Sequence, residues 1–380
     1  MNEETKRPIR ILQVVGRMDR GGTEALLMSL FRHVNRDEIM FDFVEQTTDH
    51  CDYDDEIQSL GGKIFRCPAL NIRNIPAYRQ WWEKFLTEHP EYYIVHGHSR
   101  GSAPIYLRVA KKLGRVAIIH CHNNSNGKGL RAVQRYIWQY PLRFFPDYYF
   151  ACSADAGYSQ FGKHKTFTII RNGIETQKFI WNEESRNQLR KELGIENSFV
   201  IGNVARFVKQ KNHKFLIDII CETKKIIPEA KFLLIGGHGE GTLEQDVREK
   251  IRKLNLQDDV LFLGVRDDVN DLLQAMDLFL LPSHFEGLGI VNIEAQAAGL
   301  PCVVSKDVIP SEVNISNLVY FVSLAESASE WAEVILDIKN HYPVRRDMTE
   351  IIRSSGYDIS SSLEYLTGFY KNLYKKKEAK

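Results

Sequence analysis

A chain of 380 residues is long enough for two domains of ordinary size, each with its own core, and 43% apolar with 26% charged residues is a globular balance. With 50 Lys and Arg against 49 Asp and Glu, the formal net charge is +1, which argues against nucleic acid or another polyanion recognised over a broad surface. No run approaches the roughly 20 apolar residues of a membrane span, and six scattered cysteines without a C-x-x-C pair suit a reduced cytoplasm.

The N-terminal stretch MNEETKRPIRILQVVG has an apolar run too short for a signal segment and reads as a first strand. From there short apolar strands alternate with longer amphipathic runs, the pattern of parallel sheets with helices on both faces. IRILQVVG, FDFVEQ, KIFRCP, YYIVHGH, RVAIIHCH, DYYFACS and FTIIRNG form a first set of strands. FVIGNVARF, AKFLLIGG, VLFLGV, LFLLPS and PCVVS form a second. The polar stretch WNEESRNQLRKELGIENS separates the sets. The expected fold is therefore α/β, with two Rossmann-like doubly wound domains, 1–178 and 179–358, facing a central cleft. Residues 359–380 read as a terminal helix with a frayed basic tail, packing back towards the N-terminal domain.

In open parallel sheets ligands bind beyond the carboxyl ends of the strands, so those loops carry the chemistry. After strand one, GRMDRGGTEA sets Gly21 and Gly22 before a helix start, where free amides attract anions; plain turn chemistry accounts for the glycines equally well. The absence of G-x-G-x-x-G gives no support to a nicotinamide site. Asp52-Tyr53-Asp54 could suggest a metal-dependent transferase but reads better as a polar helix start. HGH (His96, His98) and HCH (His120, His122) put four histidines at neighbouring strand edges, where alternate residues can point to the same side and bind a metal; that would suit a metal-dependent hydrolase.

In the second half NVARFVKQKNHKF delivers Arg206 and Lys211 from one loop. Such a pair fits a diphosphate, or is simply a solvated pair at a helix start, where an anion would remove an unfavourable charge. In LPSHFEGLGIVNIEAQAAGLP, Glu286 sits on a loop with Gly287 and Gly289, and Glu294 sits more than one turn into the following helix. A glycosidase needs two carboxylates about 5 to 9 Å apart flanking one bond; a phosphate-ready helix terminus between the acids suits a ligand with hydroxyls at both ends and phosphate between them.

That ligand is a nucleotide sugar, and these motifs resemble the retaining GT-B glycosyltransferases of family 4. Their signature E-x7-E stands here ungapped as EGLGIVNIEAQAAGLP, and GGTEALLMSLF, IIHCHN, IIRNGIE, NVARFVKQKNH and LGVRDDVNDLLQAMDLFLLPS extend the likeness over nearly the whole chain. The resemblance implies an acceptor-binding N-terminal domain and a donor-binding C-terminal one. It implies that Glu286 binds donor-sugar hydroxyls, Glu294 the ribose, and Arg206 and Lys211 the diphosphate, with amides of Gly287, Leu288, Gly289 and Ile290 as added donors. The backbone at Arg266 would meet the base, Gly22 would let the first loop approach the diphosphate, and His120 would lie near the donor sugar and reaction centre.

Two departures stand out: Arg206 lies in A-R-F rather than G-R-L, and Leu288 replaces a frequent Phe; neither removes a functional group. A same-fold nucleotide-sugar 2-epimerase or hydrolase is the alternative, but the first loop here is not acid-rich. The expected enzyme is a retaining hexosyltransferase of exopolysaccharide, capsule or other cell-surface glycan synthesis, with a UDP-sugar donor and no metal or other cofactor. The acceptor would be a glycan or polyprenyl-linked oligosaccharide. Arg131, Arg135 and Arg143, interleaved with Trp138, Tyr140, Phe144 and Phe145, suit a membrane surface, and suit equally a partly buried helix with exposed arginines. The expected location is cytoplasmic, with peripheral contact at the inner face of the membrane.

Overall fold

The computed structural model describes residues 7–122, 130–237, 239, 241–341 and 345–379. The chain forms two compact units, one of Met1–Gly173 with Ile359–Lys380, the other of Ile174–Asp358. The boundary falls before residue 179 because Ile174 and Phe179 are buried in the second unit's core. Ile174 also bridges Asp358, and its amide donates to the Tyr357 carbonyl at 2.8 Å.

The first unit's strands are β1 (Ile9–Val15), β2 (Ile39–Glu45), β3 (Ile64–Arg66), β4 (Ile94–Gly97), β5 (Val116–Cys121), β6 (Tyr148–Ala151) and β7 (Thr168–Ile169). They make one parallel sheet in the order β3-β2-β1-β4-β5-β6-β7. The second unit has β8 (Phe199–Val204), β9 (Ala230–Ile235), β10 (Val260–Gly264), β11 (Leu278–Leu281), β12 (Cys302–Ser305) and β13 (Val319–Val322). Their order is β10-β9-β8-β11-β12-β13, again parallel. β13 has no counterpart in the sequence reading: it is a four-residue edge strand with a half-exposed centre, entered just after Asn317 at φ 60°.

Strand order reverses between β1 and β4 in the first sheet and between β8 and β11 in the second. At such a switch point the loops leaving neighbouring strands diverge to opposite faces and leave a crevice at their carboxyl ends. The central strands carry apolar residues on both faces because helices cover both. Leu278, Phe279, Leu280 and Leu281 of β11 are all fully buried. The helix His213–Ile226 covers one face of the second sheet with Leu216, Ile217, Ile219 and Ile220.

The terminal helix, Ile359–Glu378, belongs to the first unit. Ile359, Leu366, Tyr370 and Leu373 recur at helical spacing and form its buried stripe. Phe369 meets Tyr148 and Phe150 edge-on at 4.8 and 5.1 Å between ring centroids. The basic end is not a frayed tail: the helix continues through Lys375, Lys376 and Lys377, and the Lys377 ammonium lies over the rings of Tyr93 and Tyr374. Leu366→Ala should therefore lower unfolding free energy by about 2–5 kcal/mol in urea titrations of the full chain. A loss below about 1 kcal/mol would show that this stripe does not hold the helix.

Candidate active site

In the second unit the site is built at the reversal between β8 and β11. β8 ends at Val204 and releases Ala205–Asn212, a loop closed by Asn212 in the left-handed region at φ 55°. β11 releases Pro282–Gly289, and Gly289 at φ 66° starts the helix Ile290–Ala297. The two loops are stitched together. The His284 amide donates to the Gln210 carbonyl at 2.8 Å, and Gln210 Nε2 donates to the Phe285 carbonyl at 2.8 Å.

At the centre of this junction Lys211 Nζ lies 2.6 Å from Glu286 Oε1, which also accepts from Ser283 Oγ at 2.7 Å. The Glu286 side chain is only 6% exposed and that of Lys211 18%. A buried charge deprived of its partner destabilises by about 3–5 kcal/mol, so the pair holds both loops. Sequence alone put no carboxylate beside Lys211; the structure supplies one 75 residues away. Arg206 is exposed, with no side-chain partner among the described residues. Gly287 and Leu288 are buried, whereas Gly289 and Ile290 are partly accessible at the helix start. A Cβ on Gly289 would lie 2.8 Å from Asn292 Nδ2 as well as straining the backbone.

Glu294 lies in the middle of that helix, half-buried, and its carboxyl has no hydrogen-bond partner among the described residues. Burial pushes its carboxyl up to about 7. An acid with a raised folded-state pKa loses stability as pH rises from its unfolded value through the folded one. Arg266 is exposed after β10 and forms a two-point ion pair with Asp268, Nε to Oδ1 at 2.7 Å.

Two features of this site escaped the sequence reading. His213, the first residue of its helix, is buried and stacks on Phe207 with ring centroids 4.4 Å apart, fixing the Arg206 loop from behind; burial, with nearby Lys211 adding, lowers its pKa to about 4. The glycines after β9 pack against the same loop: a Cβ on Gly236 would meet the Ala205 carbonyl oxygen at 2.1 Å, and one on Gly239 the Val208 side chain at 2.4 Å. The legible signal for the second was the glycine-rich run itself.

In the first unit, Gly22 opens the helix Gly22–His33 after β1. The four histidines come together at the ends of β4 and β5. His96 stacks on His98 and on His120, with centroids 4.4 and 5.4 Å apart, and His120 lies 4.1 Å from His122. Burial, reinforced by the neighbouring rings, holds His98 and His120 well below the usual imidazole range, and His96 at about 3. His122 lies at about 3 as well, again chiefly through burial. His120 has no hydrogen-bond partner on either ring nitrogen among the described residues.

Asp54 does begin a helix, Asp54–Ser59, buried and ion-paired with Arg66, which also holds Glu45 at 2.5 Å. The Arg66 guanidinium thus supplies the positive charge for the Glu45–Cys51–Asp54 group. In the basic-aromatic stretch, the side chain of Arg131 lies outside the described residues. Elsewhere in it the exposed groups are apolar rather than arginine alone: Ile137 is 66% and Phe144 68% exposed. Arg143 is drawn in, donating to the Gln160 carbonyl and lying within 5.2 Å of the Tyr136 and Tyr140 rings. Trp138 is tied through Nε1 to the Gly101 carbonyl at 2.7 Å.

Residues 185–355 match the family described as glycosyl transferases group 1, and residues 20–178 match glycosyltransferase family 4. The chain is 32% identical to the putative glycosyltransferase EpsF of Bacillus subtilis (strain 168), over 97% of each chain. It is 36% identical to the Escherichia coli UDP-Gal:alpha-D-GlcNAc-diphosphoundecaprenol alpha-1,3-galactosyltransferase, over 36% of each. Among solved structures, Anabaena Alr3699/HepE in complex with UDP and glucose superposes with a TM-score of 0.79 at 18% identity, covering 96% of this chain and 99% of that one. Sucrose-phosphate synthase of Thermosynechococcus elongatus gives 0.80 at 18%, covering 97% and 99%. At such identities the structural likeness is one of fold, the GT-B fold expected from the sequence.

The isolated Glu294 carboxyl makes a specific pH signature. Glu294→Gln should raise unfolding free energy at pH 8 by on the order of 3 kcal/mol and change it little at pH 4, where the native acid is protonated. Equal effects at both pH values would show that this carboxyl does not carry the raised pKa described.

Proposed function

The chain belongs to the group 1, family 4 glycosyltransferases, and we propose that it transfers a sugar from a UDP-sugar, with retention, to a lipid-linked oligosaccharide or glycan in cell-surface polysaccharide synthesis. The observation that carries this reading is the Lys211–Glu286–Ser283 junction, set beside exposed Arg206 and unpartnered Glu294 on one sheet edge. It offers cations for a diphosphate, one acid for sugar hydroxyls and another for a ribose diol. The E. coli relative, whose name gives a UDP-Gal donor and a diphosphoundecaprenol acceptor, supports the donor and acceptor classes. The UDP complex of HepE adds support for the nucleotide.

In this mechanism breaking of the anomeric bond leaves negative charge on the nucleoside diphosphate. Arg206 and Lys211 neutralise it, and the amides of Gly287, Leu288, Gly289 and Ile290 add fixed donors at the helix start. Glu294 takes the ribose hydroxyls as a carboxylate, the form that their hydrogen bonds favour. The family resemblance assigns the backbone at Arg266 to the base, Gly22 to close approach of its loop, and Glu286 and His120 to the sugar. These motifs offer no obvious covalent nucleophile, which supports attack by the acceptor from the face the nucleotide leaves. The departing phosphate takes the acceptor proton. No metal is required, since the cations neutralise the leaving group.

The exposed Val133, Tyr136, Ile137, Tyr140 and Phe144 side chains support acceptor capture at a membrane surface, at the inner face if the chain is cytoplasmic. None of the helices among the described residues is long and apolar enough to cross a membrane, so this contact would be peripheral.

The clamp predicts that Arg206→Ala and Lys211→Ala each cut turnover by about 10²–10³ in steady-state assays with EDTA present. Near-native turnover in both folded variants would remove the clamp from the mechanism. A panel of nucleotide sugars tests the donor and the outcome together. The UDP-sugar donor should raise unfolding free energy by about 2.7 kcal/mol at a hundred times its dissociation constant, and the product should keep its anomeric configuration by NMR. Stabilisation by other nucleotides alone, or an inverted product, would overturn the respective assignment.

A further inference from the structure

The histidine cluster in the first unit has the composition and second shell of a metal centre. One possible ligand atom from each of His96, His98 and His120 lies within 4.8 Å of the others. His96 Nε2 and both His120 ring nitrogens are buried without hydrogen-bond partners, a costly state for polar atoms. The remaining contacts define lone pairs. His98 Nε2 lies 2.9 Å from Gln13 Oε1; a carbonyl oxygen only accepts, so Nε2 carries the hydrogen and Nδ1 the lone pair. That lone pair now accepts from His122 Nε2 at 2.8 Å. His96 Nδ1 lies 2.6 Å from the Tyr370 hydroxyl of the terminal helix; when Nδ1–H is donated there, Nε2 is left as the ligating atom.

Metal-ligating histidines typically have their second nitrogen held in this way, by a carbonyl, carboxylate or water. We propose that His96, His98 and His120 bind one zinc-class transition-metal ion, with Gln13 and Tyr370 as the outer shell. Zinc–nitrogen bonds of about 2.0–2.1 Å place tetrahedral ligands about 3.4 Å apart, so binding draws the three rings together and the His98 Nδ1 lone pair exchanges His122 for the ion. Half-buried His98 is the entry side, and the fourth position takes water. The other candidate group, Glu45, Cys51 and Asp54, already surrounds the Arg66 guanidinium and gains nothing from a second cation. If His120 acts at the reaction centre as proposed above, the ion immobilises it and zinc inhibits transfer reversibly.

The binding test does not depend on activity. Tag-free full-length protein, stripped with EDTA and desalted, is titrated with cobalt(II) chloride by absorption spectroscopy and with zinc chloride by elemental analysis after gel filtration. The expected result is one ion per chain, with visible ligand-field bands of a nitrogen-rich four-coordinate site. His96→Ala and His98→Ala should abolish it, Gln13→Ala should weaken it about 10–100-fold, and Cys51→Ser should leave it unchanged. Circular dichroism checks that each variant is folded; should a ligand variant fail to fold, the Gln13→Ala affinity and the wild-type stoichiometry decide. No retained ion in the wild type, or unchanged affinity in Gln13→Ala and in whichever ligand variants fold, would overturn the proposal. Zinc binding without inhibition would leave the site standing and count against the role of His120. Absence of transfer with EDTA would count against the functional reading alone.

Discussion

The ion pair between Lys211 and Glu286 is the constraint around which the second unit's site is organised. Two loops that leave opposite sides of a strand-order reversal must be held in register, and a mostly buried pair of opposite charges reinforced by Ser283 does this. The same geometry sets up competition. If the site takes a diphosphate as proposed, a carboxylate that already holds the ammonium must be matched or displaced by the phosphate. On that reading Glu286 would do more than face a sugar: it would keep a buried cation paired until the anion binds.

The surrounding structure serves that pair. Phe207 stacked on His213 backs the clamp loop, and glycines at 236 and 239 allow the neighbouring turn to lie directly on it. Gly289 lets the β11 loop enter its helix in a backbone conformation that a side chain would strain. Among the described residues the Glu294 carboxyl has no partner, a cost that a ribose diol would offset on the proposed reading. In the first unit the polar groups lie deeper: Gln13, four histidines and Tyr370 share the face covered by the terminal helix, where apolar packing would have been simpler.

What was legible in the sequence follows the range of the interactions. The two-set strand pattern and E-x7-E are local, so the parallel α/β class and the position of both acids beyond a strand could be read from spacing. The HGH and HCH pairs were visible as same-side residues at neighbouring strand edges, and the pairing of β4 with β5 brings all four together. The Lys211–Glu286 contact spans 75 residues and left no local mark. Arg66 at the Glu45–Asp54 group was hidden for the same reason. β13 is too short, and too exposed at its centre, to stand out from a loop.

The central claim is that Glu286 and a diphosphate compete for Lys211. Titration of UDP alone into wild-type protein and into Glu286→Gln, by calorimetry at fixed pH and salt, tests it directly. Loss of the carboxylate should free the ammonium and remove a repulsive charge, so the variant should bind UDP more tightly than the wild type while failing to transfer sugar. Equal or weaker UDP binding by a folded Glu286→Gln protein would contradict the account.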